Sequence, residues 1–235
     1  MAPTPGSQHA PLRVDRRWPL ASAGAALLLV VALSAVIVYR EHNTPFGFEL
    51  DWMREIVAHR TSFWTGAALV LNALGGGVLA LYVVPLAIIA ALLLWRRRWA
   101  AIYFTIAAAL SPLVVNLLKQ LIGRPRPTDI LVTSDFGSFP SGHSANAALI
   151  ATVLGIVFAR GWVWAAGAVY TMAMMLSRTY LGAHWISDTI GGMLVGAGVA
   201  IVVWAPFAAW LYREKWMPHP PPWRALPAAP PTPLP

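Results

Sequence analysis

Residues 19–39, PLASAGAALLLVVALSAVIVY, carry no charged side chain and are long enough to cross the hydrocarbon core of a bilayer as one helix. Further apolar runs follow at 77–95, 99–118, 144–159, 162–177 and 188–211. A helix that is apolar all round has two places to go, the deep core of a large protein or lipid. A chain of 235 residues cannot bury six such helices inside itself. Only 11% of its residues are charged, where soluble domains carry roughly 25%, and 58% are hydrophobic. The expected fold is therefore all-α, a polytopic membrane bundle of six transmembrane helices.

Between the first and second spans the pattern changes. Residues 40–61 are polar, with Glu49, Asp51 and Glu55 among aromatics, and are expected at an interface. The apolar stretch Trp64–Trp95 is too long for one untilted span and is interrupted by Gly75, Gly76 and Gly77. It is read as an additional interfacial or re-entrant helix at 63–74, a glycine break and then a span. The break is expected to bend around a lateral opening for lipid. Gly192 and Gly196 form a small-xxx-small pattern, read as close packing of the last helix rather than a dimer seam. The Pro-rich ends, 1–17 and 216–235, are expected to be disordered, leaving 18–215 as the membrane domain.

Six spans place both termini on one side. Arg13, Arg16 and Arg17, the Arg96–Arg98 turn, Arg160, and Arg213 with Lys215 then share that side, which the positive-inside rule makes the cytoplasm. The net charge of +8 is dispersed between apolar runs, which fits anionic headgroups and not nucleic acid. The absence of cysteine excludes disulfides, thiolate metal sites and cysteine nucleophiles.

Four cations break the inside bias: Lys119, Arg124, Arg126 and Arg178 fall in segments expected on the outer face. Cations there want an anion, and lysine and arginine both hold a tetrahedral oxyanion, arginine with a bidentate fork. Pro125 and Pro127 stiffen the segment that aims Arg126. Ser141 and Gly142 sit where the fourth helix should begin, and the N–H groups of a helix start bind phosphate readily. His184 and Asp188 are one helical turn apart, so the carboxylate can fix the ring and leave the other nitrogen as a nucleophile. Asp188 also fits a helix cap, but His184 one turn earlier favours function. His143 then serves as general acid. Asn116, one turn before Lys119, is a candidate site-lining residue; Asn72 is a second polar group in an apolar run.

Taken together, Lys119 with six residues to Arg126-Pro127, then Pro140-Ser141-Gly142-His143, then Ser177-Arg178 with five residues to His184 and three to Asp188, resemble the tripartite signature of the type 2 phosphatidic acid phosphatase (PAP2) superfamily. Those are membrane lipid phosphatases related to vanadium haloperoxidases. The resemblance implies that Lys119, Arg126 and Arg178 bind phosphate, helped by Ser141 and Gly142. His184 would attack phosphorus to give a phosphohistidine, His143 would protonate the leaving oxygen, and Asp188 would orient His184. No metal or other cofactor is implied, and Arg124 is left as a contact behind the phosphate-binding residues or to a lipid headgroup. The substrate would be a lipid phosphate met in the plasma membrane from its outer face: a polyprenyl diphosphate or phosphate, phosphatidylglycerophosphate or phosphatidic acid. A polyprenyl carrier ranks first, because bacterial cell-wall synthesis releases that product on the outer face. A phosphotransferase using the same site, a metalloenzyme with His143, His184 and Asp188 as ligands, and a transporter for anionic lipids are the competing readings. Oligomeric state is not legible.

Overall fold

A computed structural model describes residues 17–39 and 44–216. Apart from Arg17 and Trp216, which begin and end helices, the two tails lie outside the described residues. All the regular elements among the described residues are helices, with no strand. The helices are α1 (Arg17–Tyr39), α2 (Gly47–Ala58), α3 (Ser62–Gly75), α4 (Val84–Leu94), α5 (Arg98–Ile122), α6 (Gly142–Phe158), α7 (Gly161–Tyr180) and α8 (Ile186–Trp216).

α5 shows how the sequence specifies a lipid-facing helix. Ala100, Tyr103, Phe104, Ala107, Ser111 and Val115 repeat at helical spacing and are buried. On its other side Ile102, Ile106, Leu110, Leu113, Leu117 and Leu121 are exposed at the same spacing. Water would not tolerate that second stripe, whereas hydrocarbon costs it nothing. α5 and residues 186–215 of α8 are each long and apolar enough to cross a membrane alone. α3 and the segment Leu79–Leu94 meet that test only together, bent by 47° at the glycine break.

The break has two local causes. At Gly76 a Cβ would lie 2.5 Å from Nε2 of His143, so only glycine lets the backbone approach that ring. Gly77 then turns the chain with a φ of +61°. Beyond it, Leu79–Val83 forms a π-helical turn leading to Pro85, the second residue of α4. Proline has no N–H and its ring crowds the carbonyl four residues earlier, so a widened turn ahead of it relieves both constraints.

α6 lies at the centre, packed on α7 and α8, while α1 and α5 also pack on α8. Gly192 and Gly196 make the α6–α8 contact possible, since a Cβ at either would fall within 2.3 Å of the Ser141 or Ala145 carbonyl oxygen. The small-xxx-small pattern thus serves packing within the chain. Tyr103, fully buried, donates its hydroxyl to the Ala200 carbonyl at 2.9 Å.

The two ends of the bundle differ. At one, the Glu214 carboxylate accepts the first amides of α5, from Trp99 and Ala100 at 2.9 and 3.2 Å. A carboxylate there satisfies orphan donors and meets the positive end of the helix dipole. Arg97 binds the Val157 carbonyl at the same end. At the other end α2, residues 123–141 and residues 181–185 converge, and the polar chemistry gathers there.

Candidate active site

Four helix termini build the site. α5 stops at Gly123, whose left-handed φ of +59° lets its N–H return to the Lys119 carbonyl. Lys119 is thereby left on the last turn of α5, with Arg124 and Arg126 in the loop beyond. α6 begins at Ser141, α7 ends just after Arg178, and α8 begins just after His184.

Arg124 is wholly buried and forks between two carboxylates: Nη1 donates to Asp188 Oδ1 at 2.6 Å and Nη2 to Glu49 Oε2 at 2.7 Å. Ser187 closes the network, accepting from Arg124 Nη1 at 2.7 Å and donating its hydroxyl to Glu49 Oε1 at 2.6 Å. Asp188 Oδ2 accepts the Trp185 N–H at 2.8 Å, the reach-back of a capping box at the start of α8. The capping and pairing roles of this aspartate thus coexist, one on each oxygen. Its distance to His184 Nδ1 is 3.8 Å, and the hydrogen bond of that nitrogen goes instead to the Ser138 carbonyl at 2.7 Å.

That acceptor assigns the tautomer. A carbonyl only accepts, so Nδ1 of His184 carries the proton and Nε2 keeps its lone pair. Burial holds the His184 ring well below the ordinary histidine range, reinforced by the positive charges of Arg178, Arg126 and Lys119. A neutral imidazole beside three cations stays unprotonated and keeps the lone pair of Nε2 available. Arg126 Nη1 lies 3.4 Å from the free Nε2.

The cations are held mainly by oxygen atoms of the backbone. Arg126 donates to Ala183, Asp135 and Gly137 carbonyls at 2.6, 3.1 and 2.8 Å, and Lys119 to the Gly137 carbonyl at 3.0 Å. The Asp135 side chain bridges the pair, its Oδ1 at 3.1 Å from Lys119 Nζ and 2.6 Å from Arg126 Nη2. Burial lowers the Arg126 pKa, partly offset by Asp135 and Asp188. For Asp135, burial raises the carboxyl pKa, but Lys119 and Arg126 outweigh it and hold the group below its ordinary range.

Arg178 is buried and bound to the side-chain oxygen of Asn72, while its Nε has no partner among the described residues. Nδ2 of Asn146 is likewise unpaired. Buried donors of this kind signal a missing acceptor. His143 donates Nε2–H to the Asn72 backbone carbonyl at 3.2 Å.

Both orphaned residues line one cavity of about 650 Å³. Lys119, Arg126, Gly142, His143, Arg178 and His184 line its polar end. Asn116 lines it as well, whereas Arg124 does not. Ser141, fully buried, is also outside the lining; it caps α6, its hydroxyl 3.5 Å from the Ser144 N–H. From the polar end the cavity continues between α4 and α5, along Leu81, Leu86, Ile89, Ala108 and Pro112. No group of three His, Asp or Glu side chains among the described residues is placed to hold a metal.

Glu49, Asp135, Ser138 and Asn72 take parts that the sequence did not assign. Asn72 alone gave a signal, as an amide within an apolar run. Nothing in the local sequence connects Glu49 to a partner 75 residues away.

Residues 99–212 match the family model described as the PAP2 superfamily. Phosphatidylglycerophosphatase B of Bacillus subtilis is 30% identical over 127 residues, 49% of this chain and 63% of that protein. Decaprenylphosphoryl-5-phosphoribose phosphatase of Mycobacterium tuberculosis is 32% identical over 123 residues, 50% of this chain and 67% of that protein. The chain thus spans about two thirds of the length of these relatives. The crystal structure of a transmembrane PAP2-type phosphatidylglycerolphosphate phosphatase from Bacillus subtilis superposes with a TM-score of 0.66 at 26% identity, covering 77% of this chain and 94% of that one.

Proposed function

The chain belongs to the PAP2 superfamily, and from that membership and the shape of its cavity we propose that it is a membrane phosphatase acting on a lipid phosphate monoester or pyrophosphate. One observation carries the reading. A single cavity joins a cluster of cations and two histidines to an apolar groove between α4 and α5, so phosphate and acyl or prenyl chain fit one ligand. The phosphoryl group would sit against Lys119, Arg126 and Arg178, where the unpaired Arg178 Nε supplies a donor for one of its oxygens. The Gly142 amide at the start of α6 adds the positive end of a helix dipole.

In the proposed reaction the lone pair of His184 Nε2 attacks phosphorus, and the bond to the lipid oxygen breaks. His143, as the imidazolium formed beside the bound phosphate, keeps its Nε2–H on the Asn72 carbonyl and gives that oxygen its Nδ1 proton. Water, deprotonated by His143, then cleaves the phosphorus–nitrogen bond of the phosphohistidine and releases inorganic phosphate. Ser138 and Asp188 keep the nucleophile aimed, the first directly and the second through the start of α8. No metal enters this sequence of steps, because the cations already neutralise the developing charge.

The bundle is taken to cross the membrane six times. The end bearing Arg97, Arg160 and Arg213 would be cytoplasmic, and the site would open to the outer face. The names of the relatives support phosphatidylglycerophosphate and polyprenyl-linked phosphates as first substrates to try.

The test is phosphate release from a panel of those lipids and phosphatidic acid by the detergent-purified protein with EDTA present, beside His184→Ala. Release that survives EDTA and disappears in the variant, by at least about a thousandfold, is expected. Release that EDTA abolishes would replace this mechanism with a metal-dependent one.

A further inference from the structure

We propose that Asp135 is an internal competitor for the phosphate subsite, and that it thereby selects dianionic terminal phosphates over monoanionic diesters. The inference rests on the reading of the cavity as a phosphate site. Oδ1 of Asp135 stands where an anion bridging Lys119 and Arg126 would stand, 3.1 and 2.6 Å from their nitrogens. The two cations are almost buried, with side chains 6% and 13% exposed, whereas the Asp135 side chain is 65% exposed. The carboxylate therefore lies at the mouth of the site and can leave into solvent without opening a core.

A purely supporting role fits the geometry poorly. Arg126 is also held by three carbonyls and Lys119 by one, so both stay aimed when the carboxylate swings out. Even the main chain of Asp135 keeps its grip on Arg126 through its carbonyl oxygen. Removal of the side chain changes the charge at the subsite and leaves the frame standing.

The consequence is an exchange of anions. A phosphate monoester or terminal pyrophosphate brings two negative charges to the cations and displaces one. A diester brings one and displaces one, so it gains no electrostatic advantage from the exchange. After hydrolysis the returning carboxylate competes with inorganic phosphate and hastens its departure.

The experiment measures binding of inorganic phosphate and of dimethyl phosphate, a monoanionic diester, to the full-length detergent-purified protein by calorimetry at about pH 8, where phosphate is chiefly the dianion. Wild type is compared with Asp135→Asn and Asp135→Glu. Asp135→Asn should tighten phosphate binding roughly two- to fivefold, the scale of an ion pair with one exposed partner. It should also narrow the preference for phosphate over dimethyl phosphate, while Asp135→Glu stays near wild type. In turnover, the Asn variant should show a lower KM and stronger product inhibition. Phosphate binding that is unchanged or weaker in Asp135→Asn would overturn the proposal alone. Failure of every variant to bind phosphate would overturn the phosphate-site reading, and this proposal with it.

Discussion

At the residue scale the site turns on which atom accepts from which. His184 owes its free Nε2 to the Ser138 carbonyl, 46 residues earlier in the chain, and not to a direct bond with Asp188. Asp188 instead shares Arg124 with Glu49, so two buried carboxylates converge on one buried guanidinium. Such a group cannot lose one partner cheaply, because the charges left behind stay desolvated. Glu49→Ala is expected to destabilise the protein by about 3–5 kcal/mol, read as a fall in the thermal midpoint in detergent. Glu49→Gln keeps the shape and one acceptor and should lose less. A variant Glu49→Ala as stable as wild type would show that water reaches this network and the pair is not buried.

At the scale of elements, helix ends and one helix break do the positioning. Termini carry unpaired amides, carbonyls and dipole charge, so four of them meeting in one place offer ion-binding groups before any side chain is counted. The bend between α3 and the π-helical turn is tied to the same site. Gly76 lies against the His143 ring, and the backbone carbonyl of Asn72 receives that ring's proton. Gly76→Leu would displace His143 from this carbonyl and narrow the groove at its polar end. If His143 is the general acid as proposed, a loss of kcat of about a hundredfold is expected, with the protein still folded. Unchanged lipid turnover in Gly76→Leu would mean that the close approach is not needed for the reaction.

At the scale of the molecule, one end of the bundle is basic and capped by Glu214, and the other gathers α2, the long connection 123–141 and the short turn 181–185. The proposed orientation places the first in the cytoplasm. Because the chain contains no cysteine, single cysteines report sidedness without any background. Thr128→Cys and Arg160→Cys lie at exposed positions at opposite ends. An impermeant thiol reagent added to intact cells should label the first and spare the second. The reverse pattern would invert the orientation and move the site to the inner face.

The sequence by itself determined the class of fold and the cations and histidines of the site. Apolar runs and glycine breaks act locally, through hydration and backbone sterics, and can be read one segment at a time. Spacing identified Lys119, Arg126, His143, Arg178 and His184 as belonging together, and the fold brings all five to one cavity. What only the tertiary structure decided was the pairing. Arg124, nominally the less important arginine, became the buried centre of an ion network, while Asp135, unmarked by any pattern, came to lie across two cations. Ser141, expected at the phosphate, is turned inward as a cap. A charged side chain takes the partner that packing brings within about 3 Å and dehydrates with it. That choice is made between segments far apart in the chain, and no local pattern records it.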